Sequence, residues 1–85
     1  MATVVITDAA QKEFDALPVV IRGRAADVFV RLINWPSVSG AKPLRGELAG
    51  SFRIRTGAFR IVFRPSADNQ RVMVWKIGHR GGIYD

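Results

Sequence analysis

The chain has 85 residues, enough for one domain spanning residues 1–85 and too few for a second hydrophobic core. No cysteine and a single histidine exclude disulfides, thiol chemistry and Cys-ligated zinc, and argue against a catalytic metal site, which needs several converging ligands. An apolar fraction of 48% with 24% charged residues is that of a globular domain. No run approaches the roughly 18 apolar residues of a membrane span, and the N-terminus lacks the basic and apolar regions of a secretory signal, so the expectation is a cytoplasmic protein.

The net charge of +6 is unevenly placed. Residues 1–41 balance Lys12, Arg22, Arg24 and Arg31 against Asp8, Glu13, Asp15 and Asp27. Every excess positive charge therefore lies in residues 42–85. Ten arginines stand against three lysines, which favours planar, bidentate anion contacts over simple solubilising charge. A polyanion is the expected partner class, with nucleic acid first.

In chain order, Thr3-Val4-Val5-Ile6-Thr7 is β-branched and reads as a strand. Asp8, three residues before Gln11, has capping-box spacing and predicts a helix start. Ala10, Phe14 and Leu17 then give that helix one apolar stripe. Pro18 separates it from a second helix, in which Ile21, Ala25, Val28, Phe29, Leu32 and Ile33 keep the helical period while Arg22, Arg24, Asp27 and Arg31 point mostly outward. Asn34-Trp35-Pro36 closes it, and Trp35, like Trp75 later, is expected to pack structurally. Residues 36–50, rich in Pro, Gly and Ser, read as a connecting loop.

Beyond it the period changes from 3.6 to 2. Phe52 and Ile54 alternate with Arg53 and Arg55, and Phe59, Ile61 and Phe63 with Arg60, Val62 and Arg64. A third run, residues 71–77, is apolar on both faces at its centre and reads as a buried strand. The predicted order is β-α-α-β-β-β, an α+β domain with a helical hairpin packed on a mostly antiparallel four-stranded sheet. With Thr56-Gly57 as a two-residue turn, Phe52 pairs with Ile61, Ile54 with Phe59 and Arg53 with Arg60. Three guanidinium groups, those of Arg53, Arg55 and Arg60, then share the face away from the core. Like charges opposed across strands cost up to about 1 kcal/mol, so such clustering suggests a site for an anion such as phosphate.

The chain ends Ile77-Gly78-His79-Arg80-Gly81-Gly82-Ile83-Tyr84-Asp85, bringing the only His, an Arg and the only Tyr directly after the sheet. Together with the arginine patch these supply phosphate clamps, a proton carrier near pH 7 and an aromatic ring able to stack on a base.

Over nearly its whole length the sequence resembles the RelE/ParE superfamily of type II toxin–antitoxin toxins. The resemblance rests on Lys42-Pro43-Leu44-Arg45-Gly46-Glu47-Leu48, on Phe52-Arg53-Ile54-Arg55, on Phe59-Arg60-Ile61-Val62-Phe63 and on Ile77-Gly78-His79-Arg80 with a closing Ile83-Tyr84. For the RelE branch it implies a metal-independent endoribonuclease (an mRNA interferase) that cleaves mRNA on the ribosome and inhibits translation without a cofactor. It also implies a cognate antitoxin as partner. The family's basic pair falls on Arg53 and Arg55, its next-strand arginine on Arg60, its C-terminal arginine on Arg80 and its tyrosine on Tyr84. Tyr84 and His79 are both candidates for the base, and Lys42, Arg45 and Arg64 for contacts to RNA or ribosome. Many RelE toxins carry lysines where this chain has Arg53 and Arg55. Lysine can shed a proton where arginine stays charged, which bears on proton transfer. Two alternatives belong to other classes: a ParE-like DNA gyrase inhibitor without catalysis, and a non-catalytic nucleic-acid-binding module. The retained arginines and tyrosine favour the RelE branch.

Overall fold

The computed structural model describes residues 1–79. Strand β1 (Thr3–Ile6) leads into helix α1 (Asp8–Asp15), and α2 (Val19–Leu32) follows after Pro18. The helix start lies one residue earlier than the capping-box reading placed it. Thr7 is the cap, its Oγ1 accepting the Ala10 N–H at 3.2 Å, and Asp8 instead puts its carboxylate in the first turn, where the helix end attracts negative charge.

The remaining chain forms β2 (Lys42–Pro43), a 3-10 turn (Gly46–Leu48), β3 (Phe52–Thr56), β4 (Phe59–Pro65) and β5 (Arg71–His79). Among the described residues the sheet has five strands in the order β1-β5-β4-β3-β2, one more than expected. The extra strand is Lys42–Pro43, inside what read as loop. Only β1 against β5 is parallel, so the sheet is mixed but mostly antiparallel and the α+β class holds.

The core lies between the helices and one face of the sheet. Ala10, Leu17, Ala25, Val28 and Leu32 meet Ile54, Ile61, Phe63, Val72, Val74 and Ile77, all buried. Phe14 of α1 and Phe29 of α2 pack ring to ring at 5.6 Å, joining the two helices. At the far end Trp35 sits edge-on to Phe52 (4.8 Å) and Phe63 (5.1 Å), a structural role as expected. Such pairs contribute about 0.5–1.5 kcal/mol each beyond the area they bury.

The β3–β4 register differs from the expected one. The turn residues are Gly57 and Ala58, with Gly57 at a positive φ of 61°, and the pairs are Phe52–Phe63, Arg53–Val62, Ile54–Ile61, Arg55–Arg60 and Thr56–Phe59. Arg60 therefore faces Arg55, not Arg53. The two registers differ by two residues, the side-chain period of a strand, so both bury the same apolar face and hydrophobicity cannot separate them.

Strand β5 carries a bulge. Phe63 pairs with Val74 but Val62 with Lys76, leaving Trp75 unpaired between them. Val72 and Val74 face the helices before the bulge, and Ile77 and His79 share that side after it. The apolar centre of this strand thus records a change of parity, not a strand buried on both faces.

Candidate functional site

The sheet face turned away from the helices carries the cationic cluster. Across it run two neighbouring rows, Lys42–Arg53–Val62–Lys76 and Arg55–Arg60–Gly78. Ser51 accepts the Leu44 N–H at 2.9 Å through its carbonyl, so residues 51, 53 and 55 turn their backbone groups toward the β2 side and 52, 54 and 56 toward β4. Arg55 and Arg60 are then a non-hydrogen-bonded pair, the closer type, with Cα atoms about 4.5 Å apart. Their side chains leave the sheet as direct neighbours. Gly78, opposite Arg60 on its other side, adds no side chain to compete for that space. Arg60 is only 6% exposed, Arg53 half-buried and Arg55 exposed.

Trp75 helps to wall this face. Its indole N–H donates to Ser51 Oγ at 3.2 Å, and since β4 lies between β5 and β3, the ring spans β4 beside fully buried Val62. The bulge has a second consequence at the β5 edge past the end of β1. Ile77 N–H donates to Glu13 Oε1 at 3.0 Å, and Lys76 Nζ to Glu13 Oε2 at 2.5 Å. The α1 carboxylate thus caps the open edge where β1 has stopped.

At the opposite edge β2 pairs only with Phe52 and Arg53, and β3 is uncovered from Ile54 onward. A groove of about 450 Å³ opens there, lined by Arg31, Ser39, Gly40, Lys42, Arg53 and Arg55, with Ile54 between the two strand arginines. Arg31, in the last turn of α2, donates from Nη2 to the Ser39 carbonyl at 2.6 Å, which fixes its position over the loop.

Of the residues singled out in the sequence, Arg53, Arg55 and Arg60 come together on one face, with Lys42 beside Arg53. Arg64 is on the same face but toward the far end, opposite Met73. Its guanidinium lies against Gly50, where an added Cβ would sit 3.2 Å from Cζ, and Nη1 reaches the Ala49 carbonyl at 3.4 Å. Arg45 stands exposed at the start of the 3-10 turn, outside the cluster. His79 turns to the helix side, its ring against Phe59 at 5.1 Å, so it does not join the arginines. Arg80 and Tyr84 lie outside the described residues. Among the described residues no three His, Asp or Glu side chains come together in a metal-ligating group. The sequence reading missed Arg31, which belongs to the charge-neutral half and sits on an outward helix face like any solvated base.

Two helices laid on one face of this mixed sheet, with cations gathered on the other, define a RelE-like toxin fold. A family model described as the ParE toxin of type II toxin–antitoxin system, parDE, matches residues 4–84. Toxin RelG of Mycobacterium tuberculosis is 30% identical over 82 residues, 96% of this chain and 94% of that protein. Among solved structures, the toxin–antitoxin complex RelBE2 from M. tuberculosis matches with a TM-score of 0.79 at 29% identity, covering 93% of this chain and 98% of that one. The isolated RelE toxin of E. coli shares the fold, with a TM-score of 0.77 at 22% identity over 99% of this chain and 92% of that one. The chain belongs to the RelE/ParE superfamily and is a toxin of the type II toxin–antitoxin class.

Proposed function

We propose that this toxin is an endoribonuclease that cleaves mRNA on the ribosome and so arrests translation. The observation that carries this reading is the opposition of Arg55 and Arg60 on a closely spaced strand pair, with Arg53 on the same face. Like charges opposed across strands cost up to about 1 kcal/mol, while a phosphodiester seated between them would accept charge-assisted hydrogen bonds from several guanidinium groups at once. RNA supplies its own nucleophile, so the chemistry requires no metal. The 2′-hydroxyl loses its proton and attacks the adjacent phosphorus, the 5′-oxygen leaves with a proton, and a 2′,3′-cyclic phosphate results. Arg53, Arg55 and Arg60 stabilise the charge that builds on the phosphorane oxygens, commonly the largest contribution in such sites. The family resemblance gives Tyr84 the proton abstraction and Arg80 the support of the leaving group. His79, facing the helices, is left out of the first contacts. The same relationship implies a cognate antitoxin that restrains the toxin in the cytoplasm, where ribosome and message are found.

The test is an mRNA programmed on ribosomes with a single 2′-deoxy substitution at the cut site. Cleavage should cease at that position and persist elsewhere, and continued cutting there overturns the mechanism. A second reading has a specific observation behind it, because the matching family model is that of ParE toxins. Under that reading the cationic face docks a protein, DNA gyrase, without catalysis. Inhibition of supercoiling by the purified toxin, with message left intact on translating ribosomes, would establish it.

A further inference from the structure

Arg31 has a placement that its helix does not need. A base in the last turn of α2 would favour the helix end equally well if it pointed into solvent. Here it is held by the Ser39 carbonyl and lines the groove that also takes in Lys42, Arg53 and Arg55. A guanidinium has five N–H donors, and one suffices for that carbonyl. Among the described residues, no carboxylate lines the groove. Because β2 begins only at Lys42, opposite Arg53, the groove wraps the free edge of β3 and joins the helix side of the sheet to the arginine face. Arg55, by the parity set at Ser51, turns its backbone N–H and carbonyl toward the same opening.

We infer that this edge groove is a second phosphate subsite, in which Arg31 and Lys42 hold the phosphodiester neighbouring the one gripped by Arg53, Arg55 and Arg60. The proposal rests on the reading of the arginine face as a phosphate site and extends it to the path of the strand. A single-stranded RNA crossing from the sheet face over the β3 edge presents successive phosphates to the two subsites. Arg53 and Arg55, lining the groove and standing on the face, link them. An acidic peptide could also neutralise these cations. Phosphate is favoured because the groove shares two arginines with the face and is polar along its rim.

The experiment measures binding and not cleavage, using 2′-O-methyl oligonucleotides that cannot be cut, followed by chemical-shift titration of the full-length toxin. Arg31→Gln should weaken an oligonucleotide with three phosphodiesters five- to tenfold and reduce the slope of log K against log salt by about 0.7, the loss of one single-strand phosphate contact. A dinucleotide with one phosphodiester should bind wild type and variant alike. Arg31→Lys should recover most of the loss. Should Arg31→Gln disturb the fold, Lys42→Gln, on the exposed edge strand, reads the same subsite and should give the same pattern. Equal affinity of wild type and variant for the longer ligand, or equal loss for both ligands, overturns the proposal. So does a variant that loses affinity for an acidic antitoxin peptide while keeping that for RNA. If these toxins bind as expected but never cleave, the subsite stands and the ribonuclease reading falls.

Discussion

The imidazole of His79 stands edge-on to the ring of Phe59, centroids 5.1 Å apart and planes at 83°, on the helix side of the sheet, whereas Arg60, the next residue after Phe59, turns to the other side. The cause is one residue. Trp75 occupies a bulge, and past it the parity of β5 reverses. A regular strand continuing from Val74 would have turned His79 toward the arginine face, where an imidazole could exchange protons with a bound substrate.

His79→Asn is therefore expected to leave the single-turnover rate of message cleavage within about tenfold of wild type. General acid–base catalysis is generally worth 10²–10⁴-fold. A loss of a hundredfold or more in a variant that folds normally would return the imidazole to the chemistry.

Arg60→Met should separate catalysis from folding. Methionine keeps an apolar stem at this nearly buried position and removes a charge facing Arg55. Relief of the like-charge opposition with Arg55, up to about 1 kcal/mol, is set against the loss of the polar contacts Arg60 itself makes, so the variant should stay folded, with urea denaturation showing a loss of no more than about 3 kcal/mol. Loss of an oriented donor to the developing oxyanion should slow cleavage by about a hundredfold or more. Full activity in a well-folded variant would show that the cluster does not serve the phosphate.

Glu13 offers a test of how the end of β5 is held. Its carboxylate accepts one backbone N–H, from Ile77, and one ammonium, from Lys76. Glu13→Ala should cost about 1–2 kcal/mol, chiefly from the stranded amide, since a half-exposed ion pair adds little. Amide exchange at Ile77 should accelerate more than at Ile61, its partner within the sheet. Glu13→Gln, which can still accept the Ile77 N–H, should restore most of the protection.

Legibility of the fold in the sequence followed the physics of each element. Both helices and strands β3 and β4 carry clear apolar periods, because each buries one face against the core. The short strand Lys42–Pro43 has no periodic signal at two residues and is stabilised by its partner, Arg53 and Phe52. The hairpin register escaped because a shift of two residues preserves the buried face. What decides it is the backbone of Gly57, at positive φ in the first position of the turn. The arginine face was legible, since alternation alone puts Arg53, Arg55 and Arg60 on one side in either register. The position of His79 was not, because nothing in Val-Trp-Lys marks a bulge apart from an apolar residue on each parity. Arg31 was hidden for a different reason: its role comes from a loop folding back to Ser39, a contact between residues on separate elements.

Asp68 gives a pH dependence with a definite sign. In the β4–β5 loop its Oδ1 accepts the Ser66 hydroxyl at 2.6 Å and the Gln70 N–H at 3.0 Å. The Ser66 bond first, and then the Gln70 amide, hold the carboxyl below its usual value of 3.8. The folded loop thus binds the proton less readily than the unfolded chain. Its contribution to stability is fully present above the unfolded value and is lost as pH falls through the lower folded one. A carboxyl-carbon titration by NMR should place the Asp68 midpoint below 3.8, and Asp68→Asn should flatten that part of the stability profile. A midpoint at or above 3.8 would mean that the two hydrogen bonds do not persist in solution. Such an outcome would loosen the loop that Trp35 also engages, through its indole N–H to Asn69 Oδ1 at 3.0 Å.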